Sequence, residues 1–198
     1  AQGRASDAAG HLKKALGIYR GCVRANHLQA QFAADQGDYR AAVRILRQTA
    51  ERDADYLPEV LPEIVSSYHQ LGDLQGLRDF LREMVETQPT SATVSALADL
   101  IKEQEGEKAE AAYLAEQLAR APSLGLLLRS IEMNANQPKS QSVQFIDSLR
   151  PHIQHLLDAK PLYQCSHCGF EAKTLHWQCP SCRNWSTIKR KAGNGAVA

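Results

Sequence analysis

Four cysteines, Cys165, Cys168, Cys179 and Cys182, form the pattern C-x2-C-x10-C-x2-C within "YQCSHCGFEAKTLHWQCPSC". Each C-x-x-C pair makes a tight turn that offers two thiolates, and two such turns facing each other close a tetrahedron around one metal ion. Four cysteines within 18 residues suit one ion better than two disulfides and point to a reducing compartment. A redox pair would need a strand-helix-strand setting that the surrounding residues lack. Gly169 supplies the backbone freedom of the first turn, whereas Pro180 and Arg183 make the second turn less regular. Phe170, Trp177 and Trp185 are expected to cover the apolar side of the metal, and Tyr163 to open a first short strand. Four thiolates complete the shell, so His167 and His176 read as solvent-facing or supporting donors. A closed shell leaves no position for substrate, which favours a structural ion over a catalytic one. So short a segment has too little core to fold alone, and the ion must contribute on the order of 10 kcal/mol. Zinc and iron take the same four ligands; zinc is the favoured ion. Cys22 lies far from this cluster and reads as a small buried apolar residue.

The elements that must carry this ending are helical. Gly3, Gly37, Gly72 and Gly106 are spaced by 34, 35 and 34 residues. Five residues after each stand Ala8, Ala42, Leu77 and Ala111; nine after, Leu12, Leu46, Leu81 and Ala115; twelve after, Ala15, Thr49, Met84 and Leu118. These offsets share one helix face. The segments "RANHLQAQFAADQGDY" and "LPEIVSSYHQLGDL" each end in a Gly-Asp turn, so every period is a helical hairpin. One hairpin cannot cover its own apolar stripe, and successive hairpins must stack into a solenoid. The period, the Gly-Asp-Tyr turn at residues 37 to 39, Ala42, Tyr68 and Pro89 resemble tetratricopeptide repeats. The third unit departs, with Lys102 where an aromatic is expected; a one-residue slip brings Ala98 and Ile101 into frame. Gly3 falls where the second helix of a unit starts, so the frame predicts that the chain opens midway through a repeat of a longer protein.

Beyond Gly106 the period fades. "PSLGLLLRSIEMNANQ" predicts a helix capped by Ser123, and "SQSVQFIDSLRPHIQHLLDAK" a second helix interrupted at Pro151. The expected organisation is mainly α: repeats over 1–122, a degenerate last hairpin over 123–160, a small β knuckle domain over 161–190 and a flexible tail over 191–198. The knuckle domain is expected to dock on the last hairpin through "DAKPLY".

Composition narrows function. Lys and Arg total 23 against 22 Asp and Glu, so no global charge favours nucleic acid. No stretch reaches the roughly 20 apolar residues of a membrane span. No nucleophile-base pair, phosphate loop or persuasive carboxylate pair is present, and an enzyme is not expected. The repeat frame directs Arg24, His27, Gln31, Glu59, Ser66, His69 and Glu103 into the concave face, a groove of mixed charge suited to a protein segment. Two other readings stay open. Lys173, Arg183, Lys189, Arg190 and Lys191 among aromatics would suit a nucleic-acid-binding zinc ribbon, although Lys189 to Lys191 read better as a solvated terminus. An iron centre would suit a one-electron carrier.

"YQCSHCGF" followed by "CPSC" resembles the knuckles of rubredoxins, with a much shorter spacer. Helical hairpins running into a four-cysteine end that closes with "HWQCPSCRNWSTIK" resemble the lipopolysaccharide assembly protein B family. That resemblance implies a non-enzymatic regulator of lipopolysaccharide synthesis, held at the cytoplasmic face of the bacterial inner membrane by an N-terminal helix absent from this sequence. It implies an adaptor that promotes degradation of the lipid A pathway deacetylase by the membrane AAA+ metalloprotease, beside other lipopolysaccharide-synthesis proteins of that membrane. It also implies that the four cysteines are the metal ligands. Self-association through the unpaired first helix is a further expectation.

Overall fold

A glycine followed by an aspartate ends one helix and starts the next. Gly72 takes φ 67°, a left-handed conformation that terminates a helix cheaply only without a Cβ. The Asp73 carboxylate then accepts from the Gly76 N–H at 2.9 Å, capping the following helix. Asp38 after Gly37 does the same for the Ala41 N–H at 3.0 Å.

These turns organise a computed structural model that describes residues 2–134, 151, 153–155, 158 and 160–191. The helices are α1 (Gln2–Ile18), α2 (Val23–Asp35), α3 (Tyr39–Arg52), α4 (Leu57–Leu71), α5 (Leu74–Thr87), α6 (Ser91–Glu105), α7 (Glu107–Arg120) and α8 (Leu124–Asn134), with a 3-10 turn at Ala54–Tyr56. Hairpins α2–α3, α4–α5 and α6–α7 stack in sequence, and α1 rests mainly on α2. A continuous core of Leu46, Leu57, Ile64, Leu77, Leu81 and Leu97 runs through the stack, each at most 3% exposed. The expected stripe is therefore present in two units, where Ala42, Leu46 and Thr49, and Leu77, Leu81 and Met84, are buried.

The third unit is shifted by one residue. Ala111 and Ala115 are exposed, while Glu110, Leu114 and Gln117 are buried in their place. The cause is local: no aspartate follows Gly106, which itself serves as the N-cap, and α7 starts at the next residue. The turn is one residue shorter, so each later position rotates by one. The slip brings a carboxylate into the core. Glu110 is 1% exposed, and Arg129 of α8 donates to it at 2.6 Å while Lys102 of α6 lies at 3.6 Å. Lys102 thus stands where an aromatic was expected because it helps neutralise Glu110.

α6 starts with a reciprocal cap, the Thr93 N–H donating to Thr90 and the Thr90 N–H to Thr93. Ser123 caps α8 as expected, accepting from the Leu126 N–H at 3.2 Å. Ile153 packs on Leu128 and Ile131. Of the second helix expected over 140–160, residues 151, 153–155 and 158 are helical; the neighbours that would show an interruption at Pro151, and residues 192–198 of the tail, lie outside the described residues. Among the described residues no helix is long and apolar enough to cross a membrane.

After α8 the chain forms a three-stranded antiparallel sheet, β1 (Tyr163–Cys165), β2 (Glu171–Ala172) and β3 (Ile188–Arg190), in the order β2-β1-β3. Cys165 is paired with Ile188 and Tyr163 with Arg190. Its small core is Tyr163, Cys165, Cys179 and Ile188. The fold is therefore mainly α, repeats plus a small β knuckle domain.

Candidate metal centre and its seat on the repeats

The two knuckles are built alike despite different sequences. In the first, the Gly169 N–H donates to the Cys165 carbonyl at 3.0 Å and the Cys165 N–H to the Phe170 carbonyl at 2.8 Å. In the second, the Arg183 N–H donates to the Cys179 carbonyl at 2.9 Å and the Cys179 N–H to the Asn184 carbonyl at 2.9 Å. Gly169 has φ 77° and Arg183 has φ 58°, so the second knuckle repeats the geometry at the cost of a side chain in left-handed backbone. Pro180 does not disturb it.

This pseudo-symmetry brings the four Sγ atoms within 4.8 Å of one another. Across the knuckles, Cys165 lies 3.7 Å from Cys182 and Cys168 lies 3.6 Å from Cys179. A tetrahedron with metal–sulfur bonds of about 2.3 Å has edges of about 3.8 Å, so the sulfurs fit a single four-thiolate ion. Cys165 and Cys179 are buried, Cys182 is half-buried and Cys168 is exposed. The Thr187 hydroxyl, 3.3 Å from the sulfur, pulls the Cys165 thiol down to about 6, and the Phe170 N–H pulls Cys168 down. Cys182 moves to about 11: the Asn184 N–H favours its thiolate, but desolvation and the neighbouring sulfurs hold its proton. Both shifts on the first knuckle favour the thiolate, the form in which cysteine binds a metal ion. His167 and His176 are not part of the cluster; His176 lies edge-on to Phe170.

The aromatic residues are placed differently from expectation. Phe170 packs on the small core, but Trp177 leaves it and stacks on Tyr56 with ring centres 5.7 Å apart. Trp185 is 59% exposed, with the Arg24 guanidinium 5.7 Å above its ring. Both tryptophans serve the seat on the repeats rather than a cover for the metal.

That seat corrects a second expectation. Among the described residues, the knuckle domain docks on α2, the Ala54–Tyr56 turn and α4, not on the last hairpin. Lys189 pairs with Asp53, lies 3.5 Å from Asp55 and stands 4.7 Å over the Tyr56 ring. Arg190 donates to Glu59 at 2.8 Å, and the Tyr163 hydroxyl donates to the same oxygen at 2.5 Å. The Tyr56 hydroxyl donates to the Ile188 carbonyl at 3.3 Å. Lys191 pairs with Glu171, and its N–H donates to the Leu162 carbonyl. The three cations read as a solvated terminus are therefore partnered within the chain. The acidic groups that hold Lys189, namely Asp53 and Asp55 at the turn, went unnoticed in the sequence. The available signal was the acidic run "DADYLPE" facing a later basic "IKRK".

The seven groove residues are not used alike. Arg24 and Glu59 hold the knuckle domain. His27 and Gln31 of α2 both reach Glu63 of α4 at 2.7 Å, and the His27 ring lies 6.4 Å from Trp177. Ser66, His69 and Glu103 are exposed further along, His69 lying 3.8 Å from Glu103. Cys22, expected to be buried, is half-buried just before α2.

Comparison with known proteins agrees with both parts of this architecture. Residues 163–190 match a family described as a rubredoxin metal binding domain, and residues 1–61 match the tetratricopeptide repeat. Lipopolysaccharide assembly protein B of Escherichia coli strain K12 is 31% identical over 179 residues, which is 90% of this chain and 46% of that protein. Its counterpart in Haemophilus influenzae is 32% identical over 179 residues, 90% of this chain and 45% of that protein. The chain spans about half the length of the curated relatives it matches. Over nine-tenths of its own length, this repeat scaffold with its four-cysteine end is a homologue of lipopolysaccharide assembly protein B.

Proposed function

We propose that the chain is a non-enzymatic adaptor in the control of lipopolysaccharide synthesis, its repeats holding protein partners and its four-cysteine domain fixing their geometry. The observation that carries this reading is the homology over 90% of the chain to proteins named for lipopolysaccharide assembly, combined with repeats whose usual role is protein binding. At the finer level, the adaptor presents the lipid A pathway deacetylase to the membrane AAA+ metalloprotease for degradation. It works at the cytoplasmic face of the inner membrane through an anchor outside this sequence. The family resemblance supports that step.

Cys165, Cys168, Cys179 and Cys182 hold one ion, with zinc favoured over iron. Its chemistry is to gather four thiolates and so close a fold that has almost no core of its own. The repeats at 1–122, closing hairpin at 123–160 and metal domain at 161–190 then act as one adaptor body. Ser66, His69 and Glu103, not covered by the knuckle domain, are the groove residues left for partner contacts.

The test is affinity capture of the membrane-anchored full-length protein from gently solubilised membranes, wild type beside Cys179→Ser/Cys182→Ser. The protease or deacetylase should be enriched with wild type and lost with the variant, while helical content stays nearly constant. Absence of both partners from the wild-type capture, or full regulatory activity in the metal-free variant, would defeat the proposal.

A further inference from the structure

The knuckle domain covers an acidic patch whose floor the repeats build without it. Leu57, Val60, Leu61 and Ile64 under the start of α4 belong to a core cluster containing no residue of the knuckle domain. Above that floor stand Asp53, Asp55, Tyr56 and Glu59, and all four meet β3 or its neighbours. β3 is an edge strand, so its outer side faces the turn. Three acidic groups around a tyrosine ring receive two cations and a backbone carbonyl, as a cationic extended segment from elsewhere would be received.

The dependence runs one way. Two of the four core residues of the knuckle domain are cysteines of the cluster, and the other two, Tyr163 and Ile188, sit at the seat itself. β3 is held in register by β1, whose last residue is Cys165. Trp177 lies two residues before Cys179. Without the ion, the short β1–β3 pairing and a few apolar side chains, Leu162, Phe170, Ala172 and Leu175, are left to hold these groups against the entropy of the strand. The main core cluster of the repeats holds no knuckle residue; of the buried residues at the seat, Tyr56, 2% exposed, loses its cover.

We propose that the metal-bound knuckle domain is a latch, covering an acidic patch at the junction of the α2–α3 and α4–α5 hairpins with its own cationic strand, and that metal loss withdraws β3 and exposes Asp53, Asp55, Tyr56 and Glu59 on repeats that stay folded. This rests on the four-thiolate metal reading above.

The experiment uses the full chain carrying Trp185→Phe, in which Trp177 is the remaining one of 2 tryptophans. Metal content is measured before and after stripping with a chelator, and again after returning a zinc salt. On stripping, Trp177 emission shifts to the red and amide exchange over residues 53–63 rises at least tenfold, while exchange in α5 is unchanged; zinc reverses both. A second chain, Lys189→Glu/Arg190→Glu, keeps its metal and shows the same exposure of residues 53–63. A chain that loses measured metal without faster exchange at 53–63 overturns the latch alone. Equal acceleration in α5 also overturns it, because the patch then falls with its cover. A chain that binds no metal overturns both the latch and the reading beneath it.

Discussion

Arg129→Ala tests the reasoning about the slipped third repeat. Arg129 donates to Glu110 and Asp99, both at 2.6 Å, and to the Ser95 carbonyl at 3.2 Å, tying α8 to α6 and α7. Asp99 is a solvated partner, its side chain 68% exposed, and its loss costs little. Glu110 is different, because its side chain is 2% exposed and one carboxylate oxygen has no hydrogen-bond partner. Removing one partner of a buried ion pair costs about 3–5 kcal/mol. Lys102 remains 3.6 Å from Glu110, so the low end applies, about 3 kcal/mol. For a chain of this size that is roughly 6–12 °C in melting temperature. The assay is thermal and urea unfolding followed by circular dichroism, with amide exchange to localise the loss to α7 and α8. The double variant Arg129→Met/Glu110→Leu replaces both charges by apolar groups of similar length and should return to within about 1 kcal/mol of wild type, or exceed it. An Arg129→Ala loss below about 1 kcal/mol, or a double variant as unstable as the single one, would refute the argument that a short turn forced a charge into the core.

Inserting an aspartate between Gly106 and Glu107 should be tolerated and add about 0.3 kcal/mol of stability, because an aspartate replaces Gly106 as the N-cap and restores the longer turn while Glu110, Leu114 and Gln117 stay inward; strong destabilisation on urea unfolding would contradict this. Arg183→Gly relieves left-handed backbone worth about 1 kcal/mol and should tighten metal binding roughly fivefold in competition with a chelator; weaker binding would show that the arginine side chain matters more. Burial, then Asp53, Asp55 and Glu59, pushes the Tyr56 phenol from 10.0 up to about 12. Its protonated form is favoured in the docked state, so its contribution is whole below pH 10 and is lost as pH rises toward 12. Tyr56→Phe should flatten the alkaline release of Trp177, measured by fluorescence, and an unchanged profile would count against this assignment.

What the sequence discloses is local. The cysteine spacing announces the two knuckles because a C-x-x-C turn is decided by adjacent residues, and Gly37-Asp38 and Gly72-Asp73 announce hairpins for the same reason. The slip at Gly106 was legible only in part: the departing Lys102 was visible, but Glu110 as its buried partner requires the next helix to be in place. The docking surface was hidden. Lys189 and Asp53 are 136 residues apart, and Arg190 and Glu59 are 131 apart, so the acidic and basic runs are each visible but nothing periodic or local pairs them. Trp177 and Trp185 were assigned to the nearest apolar need, the metal, when the Tyr56 ring and the Arg24 side chain claimed them instead.

The most direct test of the account is the metal itself. The chain, purified without added metal or chelator, should be examined by elemental analysis and by X-ray absorption at the metal edge. The account predicts one ion per chain with four sulfur neighbours at about 2.3 Å. Substoichiometric metal after reconstitution, nitrogen or oxygen in the shell, or cysteines paired as disulfides would contradict it.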